Sequence, residues 1–383
     1  MPFEKVLLLM SENDRAAIAC LRSLDEKVQI IPSFNNKSIF NSLIVPENLR
    51  RNITYYNSNN EEDFINSLIQ IKKKHGSFKV FLFGDQTSYW LLTNKKRLLS
   101  YNIYVKGPET EAYTTMLNKK NFLEISSEYG MLIPKTINYI EVMNKKFEKK
   151  FVIKPKESTE NERILDDPML IENKKSFQYL KSLDLDFDNH ILQEYVYGPS
   201  VYYMSLYNNG DKIIDFTQKN IAQQPGGKSV IKAIPSEIPE YIKEKVDALM
   251  RDFNWTGPMM IEFKLMDDKY YNIECNPRLW GPLQLAIDNG INFANAMYEP
   301  SNYKNKNDYK AEKEVGYLWK TGYLLGFLYK ITTKTNFQRY NVNKEFIFKD
   351  VWFRKGTRLY SIIEFPLTII KILKNRLFKK VDN

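Results

Sequence analysis

The sequence predicts a protein of mixed α/β and α+β class with a helical extension at its C-terminal end. In the opening part, strands of continuous apolar residues alternate with amphipathic helices, a pattern typical of a parallel sheet covered on both faces. Further on, short polar turns at residues 208–211 and 267–269 join neighbouring strands directly, as in antiparallel hairpins. From residue 317 onwards, apolar and aromatic residues recur at helical spacing.

The composition is that of a folded protein from a reducing compartment. With 383 residues, 43% of them hydrophobic, the chain is long enough for about two to three domains around a sizeable core. Cys20 and Cys275 lie far apart and form neither a disulfide framework nor a zinc-binding spacing, so a cytosolic location is expected. Only two histidines occur, His75 and His190, which argues against a histidine-centred hydrolase or metal site.

The net charge of +10 does not by itself indicate a nucleic-acid partner. The lysines are spread along the chain and no RNA- or DNA-binding motif accompanies them, so no nucleic-acid partner is expected. The chain opens on a strand without a signal-peptide pattern, and no apolar run reaches the length of a bilayer span. These observations predict a cytoplasmic protein.

Residues 1–110 are predicted to form a parallel α/β domain. The predicted strands are residues 5–10, 28–31, 53–56 and 79–83, and the predicted helices are residues 14–24, capped by Ser11, and residues 64–71. The loop after the first strand lacks a glycine-rich fingerprint, which disfavours a Rossmann oxidoreductase. Gly84 and Asp85 follow the last strand, where open α/β sheets place ligand-contacting loops, but a plain turn is the favoured interpretation.

The middle of the chain contains a strand, residues 151–155, that ends in a lysine. A positionally fixed ammonium such as that of Lys154 suits a phosphate group. Residues 156–162, which follow, contain three glutamates and no glycine, so their backbone is less free to approach a phosphate closely. A helix that Gly130 terminates precedes this strand, and residues 238–253 form an amphipathic helix beyond it.

The most informative stretch is residues 255–290, a predicted hairpin with a glutamate in each strand. Glu262 and Glu274 stand in apolar runs, where a carboxylate needs a compensating partner. With Asn276 they offer three hard oxygen ligands of the kind that magnesium takes, and the cation of Arg278 follows on the same loop. The alternative is an ordinary hairpin with a surface ion pair between a glutamate and the arginine.

This stretch resembles a known family. The segment Glu274-Cys275-Asn276-Pro277-Arg278-Leu279-Trp280-Gly281, after Glu262-Phe263-Lys264, is similar to the signature of the ATP-grasp superfamily and, within it, of the carboxylate–amine ligase-like branch. The resemblance covers about residues 1–300 and implies an ATP-grasp fold: a pre-ATP-grasp α/β domain at residues 1–110, a first lobe at 111–190, and a second lobe with the metal site at 191–300. The apolar and aromatic pattern beyond it predicts a mostly helical extension at 301–383.

The same resemblance assigns roles to individual residues. Lys119, preferred over Lys120 by its spacing to Gly130 and Pro134, and Lys154 would hold the nucleotide. The backbone around Glu194 would read adenine, although a buried strand that leads into a Gly-Pro turn is the alternative. The implied set is Lys119, Lys154, Gln193, Glu194, Tyr195, Val196 and Ser200 for ATP, Glu262, Glu274 and Asn276 for the metal, and Arg278 and Lys219 for catalysis. Ser200 stands where relatives place a ribose-binding glutamate.

The implied activity is ATP-dependent amide formation from a small carboxylate and a small amine, through an acyl phosphate, with release of ADP and phosphate. Magnesium would be the ion, with manganese as an alternative. Two other hypotheses stay open: a catalytically weakened ATP-binding or scaffold protein, and a membrane-associated glycan-pathway transferase. The basic amphipathic helix predicted at residues 359–381 would lie on the inner membrane surface or, in the slightly favoured interpretation, pack on its own domain or a second subunit.

Overall fold

The computed structural model describes residues 5–144, 147–156, 168–183, 185–224, 227, 229–303, 315–333, 338–342 and 345–381. They form three sheets with helices packed around them. The main hydrophobic core contains residues of both the first sheet and the largest sheet, and a second, smaller core lies under the remaining sheet.

The first sheet is parallel throughout, as the alternating pattern predicts. Its strands are β1 (Lys5–Leu9), β2 (Gln29–Phe34), β3 (Thr54–Tyr55), β4 (Phe78–Val80) and β5 (Ile103–Val105), in the order β3-β2-β1-β4-β5. β1 has a neighbour on each side, and its apolar residues from Val6 to Leu9 are fully buried. A strand covered on both faces reads as a continuous apolar run, which is why this strand was visible in the sequence.

The helices of this region are α1 (Asp14–Ser23), α2 (Asn41–Ile44), α3 (Glu61–His75), α4 (Asp85–Thr93) and α5 (Lys95–Ser100). The side chain of Asn13, and not that of Ser11, caps α1, by accepting a hydrogen bond from the Ala16 N–H. The plain turn expected at Gly84 and Asp85 is also wrong, because Asp85 is the first residue of a helix.

The smallest sheet is antiparallel and has three strands. It contains β6 (Phe151–Pro155), β7 (Met169–Ile171) and β8 (His190–Glu194) in the antiparallel order β7-β6-β8, with α6 (Thr110–Leu117), α7 (Lys119–Glu128) and α8 (Tyr139–Asn144) before it and α9 (Lys174–Ser182) between its strands. Its core is seven buried residues: Phe151, Ile153, Ile171, Phe177, Leu180, Leu185 and Leu192. Residues 157–162, most of the glycine-free loop, lie outside the described residues.

The largest sheet carries the predicted metal hairpin. Its strands are β9 (Ser200–Asn208), β10 (Asp211–Gln223), β11 (Val230–Pro235), β12 (Gly257–Met266), β13 (Lys269–Asn276), β14 (Val315–Leu318), β15 (Gln338–Arg339) and β16 (Ile347–Asp350). Their order is β13-β12-β9-β10-β11-β14-β16, and β15 pairs with β10. The helices α10 (Glu240–Asp252), α11 (Leu283–Asp288) and α12 (Phe293–Tyr298) accompany it.

The C-terminal extension is mostly helical but also completes the largest sheet through β14, β15 and β16. Its helices are α13 (Lys320–Thr333) and α14 (Arg358–Val381). The helix predicted from residue 317 starts later because Tyr317 belongs to β14. Within the described part of the chain, no helix combines the length and apolar character that a bilayer crossing requires. The division into four segments at residues 110, 190 and 300 stays a prediction.

Candidate functional site

The two glutamates of the metal hairpin face each other across neighbouring strands. In the β12–β13 ladder Glu262 is directly opposite Glu274, and Asn276 follows two residues later on the same strand. Side chains of directly opposed residues leave the same face of an antiparallel sheet with their Cβ atoms about 5 Å apart. The structure therefore brings together the three side chains that the sequence predicts as metal ligands.

A β-bulge makes this alignment. From the turn to Phe263, β12 pairs with β13 in one register, with Phe263 opposite Asn272; beyond it the register shifts by one, so that Glu262 meets Glu274. Without the extra residue, Ile273, the carboxylate of Glu274 would leave the opposite face, because side chains alternate along a strand. The turn itself is tight: Asp267 and Asp268 both have positive φ, which suits a two-residue hairpin.

Two lysines from other elements meet the acidic pair. Lys154, at the end of β6, donates to the carbonyl oxygen of Ile273, the bulge residue, at 3.0 Å. Lys119, the first residue of α7, places its Nζ 3.9 Å from Glu274 Oε2. Both lysine side chains are buried. Lys120 instead is exposed and pairs with Glu124, so the geometry agrees with the preference for Lys119.

The charges of this group are strongly coupled. Burial lowers the pKa of Lys154 to about 8, although Glu274 opposes this effect. Burial likewise raises the pKa of Glu262, Lys264 lowers it, and Glu274 adds to the rise because two carboxylates so close together disfavour each other's charge. A cation between the two carboxylates would remove that repulsion.

The donor set fits a hard divalent ion. In the described residues no three His, Cys, Asp or Glu side chains form a group that could hold a metal, so the candidate set is two carboxylates and the amide oxygen of Asn276. Asn276 Nδ2 donates to Glu274 Oε1 at 3.0 Å, so Oδ1, which accepts one hydrogen bond from Arg278 Nη2 at 3.2 Å, has a second lone pair for a metal ion. Oxygen ligands of this kind are typical of magnesium, which keeps several waters in its shell.

Ser200 supports the acidic pair. Its hydroxyl donates to Glu262 Oε1 at 2.6 Å and lies 3.0 Å from Gln223 Oε1, and the residue is fully buried. Both polar contacts of Ser200 lie within the protein, and the hydroxyl orients the carboxylate of Glu262. The nucleotide contact expected of Ser200 stays a prediction.

Lys219 and the acidic pair leave opposite faces of the largest sheet. In the β9–β10 ladder Tyr202 is opposite Gln218, and Tyr202 is also opposite Glu262 in the β9–β12 ladder. The side chains of Glu274, Glu262, Tyr202 and Gln218 therefore share one face of the sheet, which we call the acid face. Lys219, one residue further along β10, leaves the opposite face. The catalytic role expected of Lys219 stays a prediction.

Arg278 is fully engaged with the protein. Its Nε and Nη2 donate to the carboxylate of Asp85, with 3.3 Å between Nη2 and Oδ2, and Nη2 also donates to Asn276 Oδ1 at 3.2 Å. Burial lowers the pKa of Arg278, but Asp85 more than offsets this, so the net direction is upward. Arg278 thus ties the first helix after β4 to a metal ligand, and sequence analysis missed Asp85 as its partner because nothing local marks a contact across such a separation.

The predicted adenine segment follows the edge of the smallest sheet. Gln193 is opposite Val152 in the β6–β8 ladder, so its side chain shares a face with that of Lys154. Its Nε2 donates to the carbonyl oxygen of Pro134 at 3.4 Å, while its buried Oε1 has no hydrogen-bond partner among the described residues. The Glu194 N–H donates to the carbonyl oxygen of Lys135, so this backbone donor is already used. Tyr195 and Val196 continue the segment past the end of β8.

Comparison with known proteins identifies structural relatives only. The sequence matches no protein-family model and no curated protein. Among solved structures, the biotin carboxylase domain of Hydrogenobacter thermophilus 2-oxoglutarate carboxylase, in complex with MgADP, ADP and bicarbonate, is similar with a TM-score of 0.57 at 15% identity, over 78% of this chain and 69% of that chain.

Two further structures show the same likeness. Rhizobium etli pyruvate carboxylase gives a TM-score of 0.61 at 14% identity over 82% of this chain and 32% of that chain. The L-amino acid ligase of Bacillus licheniformis gives 0.56 at 13% identity over 82% and 78%. At such low identity, the likeness shows only that this chain shares the fold of these proteins.

Proposed function

We propose that this chain, which has the ATP-grasp fold, is an ATP-dependent carboxylate–amine ligase that forms an amide bond and releases ADP and phosphate. The observation that carries the proposal is the meeting of Glu262 and Glu274, on two neighbouring strands, with the buried ammonium groups of Lys119 and Lys154. Acidic ligands beside lysines are the equipment for a metal-bound triphosphate. The L-amino acid ligase among the structural neighbours has the same overall fold.

The ATP site would span the smallest and the largest sheet. Lys119 and Lys154 would contact the phosphates as point charges. The unpaired Oε1 of Gln193 would accept a hydrogen bond from the adenine amino group. The backbone from Glu194 to Val196 would read the rest of the adenine edge, apart from the N–H groups of Glu194 and Tyr195, which already donate to Lys135 and Lys150. Glu262, Glu274 and Asn276 would hold magnesium, which neutralises phosphate oxygens when it is bound.

The chemistry needs no protein nucleophile. The substrate carboxylate would attack the γ-phosphorus of ATP, breaking the bond to the β-phosphate oxygen, and ADP would leave. The amine would then attack the resulting acyl phosphate and displace phosphate, losing a proton as the amide forms. The protein's share is to hold the reactants in line and to supply positive charge where negative charge develops.

Arg278 would act by position as well as by charge. Its pairing with Asp85 balances much of its own charge, while its Nη2 fixes the amide of metal ligand Asn276. Its direct catalytic role, expected from the sequence, stays a prediction. The cellular location and the small-molecule nature of both substrates are likewise proposals, in which the chain works in the cytoplasm without a nucleic-acid partner.

The test removes one metal ligand without changing its size. In the Glu274→Gln variant we expect ADP release with mixed amino acids and organic acids to fall at least about 100-fold, because a carboxylate ligand is lost. Glu240→Gln is the matched control, since Glu240 is an exposed residue of α10 that pairs with Lys243. Turnover that survives in Glu274→Gln at the level of the control would refute the proposal.

A further inference from the structure

Arg15, on α1, is a half-buried cation without an acidic partner in direct contact. Its Nη1 donates to the carbonyl oxygen of Val230 at 3.4 Å and to the hydroxyl of Tyr317 at 3.3 Å. The guanidinium carbon lies 4.2 Å from the centre of the Trp319 ring. Among the described residues, no carboxylate oxygen lies within ion-pair distance, 4.0 Å, of the Arg15 guanidinium.

The remaining donors of Arg15 are unused. Its Nε and Nη2 have no hydrogen-bond partner among the described residues. They lie beside Gly281, just after the metal hairpin, so that a Cβ added to Gly281 would be only 3.0 Å from Nη2. The nearest acids are occupied or exposed. Glu364 accepts hydrogen bonds from Trp319 Nε1 and Thr321 Oγ1, and Asp14 is exposed. Burial lowers the pKa of Arg15, whereas Tyr317, Asp14 and Glu364 raise it, so the net direction is upward and the guanidinium stays charged. A permanent cation with free donors and no carboxylate in direct contact is suited to an external anion.

Arg15 stands at the far end of the acid face from the metal carboxylates. Its contacts Val230 and Tyr317 belong to β11 and β14, whereas Glu262 is on β12. With β9 and β10 between β12 and β11, the separation across the sheet is about 14 Å at the usual strand spacing.

Tyr202 and Gln218 connect the two ends. Burial raises the pKa of Tyr202, Glu262 and Glu274 raise it further, and Arg15 lowers it, so this one side chain senses both ends of the face. Gln218, its neighbour across the ladder, is fully buried, and its Oε1 has no hydrogen-bond partner among the described residues. The strip between the acids and Arg15 is therefore polar and incompletely paired.

We propose that Arg15 binds a second anionic group of the acid substrate, at the end remote from the carboxylate that is activated. The inference rests on the proposed ligase function and narrows its acid to molecules with two anionic ends, such as a dicarboxylic acid or an amino acid with an acidic side chain. The reacting carboxylate has to reach the γ-phosphate beside Glu262 and Glu274. Arg15 lies too far from these residues across the sheet to bind the same carboxylate. Nε and Nη2 present the planar fork that a carboxylate accepts in bidentate fashion.

The experiment compares matched pairs of acids by calorimetry in the presence of magnesium and a non-hydrolysable ATP analogue. The pairs are glutarate with valerate, adipate with hexanoate, and L-glutamate with L-norvaline. For the wild type we expect the diacid of at least one pair to bind about 10- to 100-fold more tightly than its partner, the range for a charge-assisted contact. Arg15→Met, which keeps an apolar stem over Trp319, should abolish that difference, and Arg15→Lys should restore part of it.

The outcomes separate this proposal from the one it rests on. Unchanged affinity for the ATP analogue in Arg15→Met shows that the variant is folded, and Arg97→Met is the control for loss of an arginine, since Arg97 pairs only with exposed side chains such as Glu62. If no pair shows a preference for the diacid, or if Arg15→Met keeps the preference, the role of Arg15 is overturned while the ligase proposal stands. A wild type that binds no ATP analogue overturns both.

Discussion

The two sides of the candidate site are built differently. The acidic side, β12 and β13, lies within the largest sheet, and its buried residues belong to the main core that this sheet shares with the parallel sheet. On the lysine side, β6 belongs to a three-stranded sheet with a small core of its own, whereas α7 packs on the main core, in which its Phe122 is buried. Glu262 and Glu274 are aligned by strand register, whereas Lys154 reaches the acids through one hydrogen bond to Ile273.

This difference indicates which part of the site can adjust. A small core stabilises less, since stabilisation follows the apolar area removed from water. Elements with few buried contacts also open with lower free energy than the rest of a protein. We therefore expect β6 and its small sheet to open more readily than β12 and β13. The predictions below test that contrast.

The largest expected effect is on stability. Ile261 of β12 and Ile153 of β6 are the same residue type and both fully buried, one in each core. Truncation of either to alanine should cost about 2–5 kcal/mol through lost transfer energy and a cavity. In Ile261→Ala we expect the loss of hydrogen-exchange protection to extend over both larger sheets, and in Ile153→Ala to stay within residues 151–192.

Hydrogen exchange measured by mass spectrometry distinguishes these patterns. Equal loss of protection in both variants over all three sheets would mean that the two sides unfold as one unit, and the contrast would then be wrong. The two variants serve as controls for each other because they remove the same atoms from positions of equal burial.

The sequence predicts the acidic side well, for a physical reason. Glutamates within apolar strand residues and a short polar turn are local signals, and they predict the hairpin and the acidic pair that the structure confirms. The ATP-grasp fold is what the family resemblance of residues 274–281 implies, and the likeness to solved structures confirms it. The parallel sheet was visible for the same reason, since buried strands read as apolar runs. The bulge at Ile273 was not visible, because a one-residue register shift leaves no mark in composition.

The sequence says less where a position depends on strand parity or on distance along the chain. Strand alternation places Lys219 on the face opposite to Glu262, and its neighbour Gln218 lies on the acid face. The hydrogen bond from the Ser200 hydroxyl to Glu262 is likewise not visible in the sequence. The pairing of Arg278 with Asp85 joins residues far apart in the chain, which only the fold brings together.

The next effect concerns ATP affinity on the lysine side. Lys154→Met keeps the length and apolar stem of the side chain but removes a buried charge. We expect binding of a magnesium–ATP analogue to weaken about 30- to 100-fold, the loss of one strong charge-assisted contact. Lys120→Met is the control, because Lys120 is exposed and pairs with Glu124. Calorimetry that finds wild-type affinity in Lys154→Met would remove Lys154 from the site.

The smallest expected effect is the dependence of ATP affinity on pH. Affinity should fall at high pH because of the lysine side and at low pH because of the acidic side. Because burial lowers the pKa of Lys154 to about 8, its ammonium is present below that pH and is lost as the pH rises through it. ATP affinity should therefore fall by at most about tenfold over the first pH unit above that value, and by less if bound phosphate raises the pKa. Lys154→Arg should flatten this limb, since arginine keeps its charge.

At the acidic end, the raised pKa of Glu262 predicts that metal-dependent binding is lost as the pH falls, and Lys154→Arg should leave that limb in place. Titration calorimetry of the two proteins from about pH 5 to about pH 9.5 measures both limbs. If ATP affinity in Lys154→Arg still falls at alkaline pH as in the wild type, the titrating group is not Lys154. The predicted contrast between the lysine side and the acidic side in their pH dependence would then be wrong.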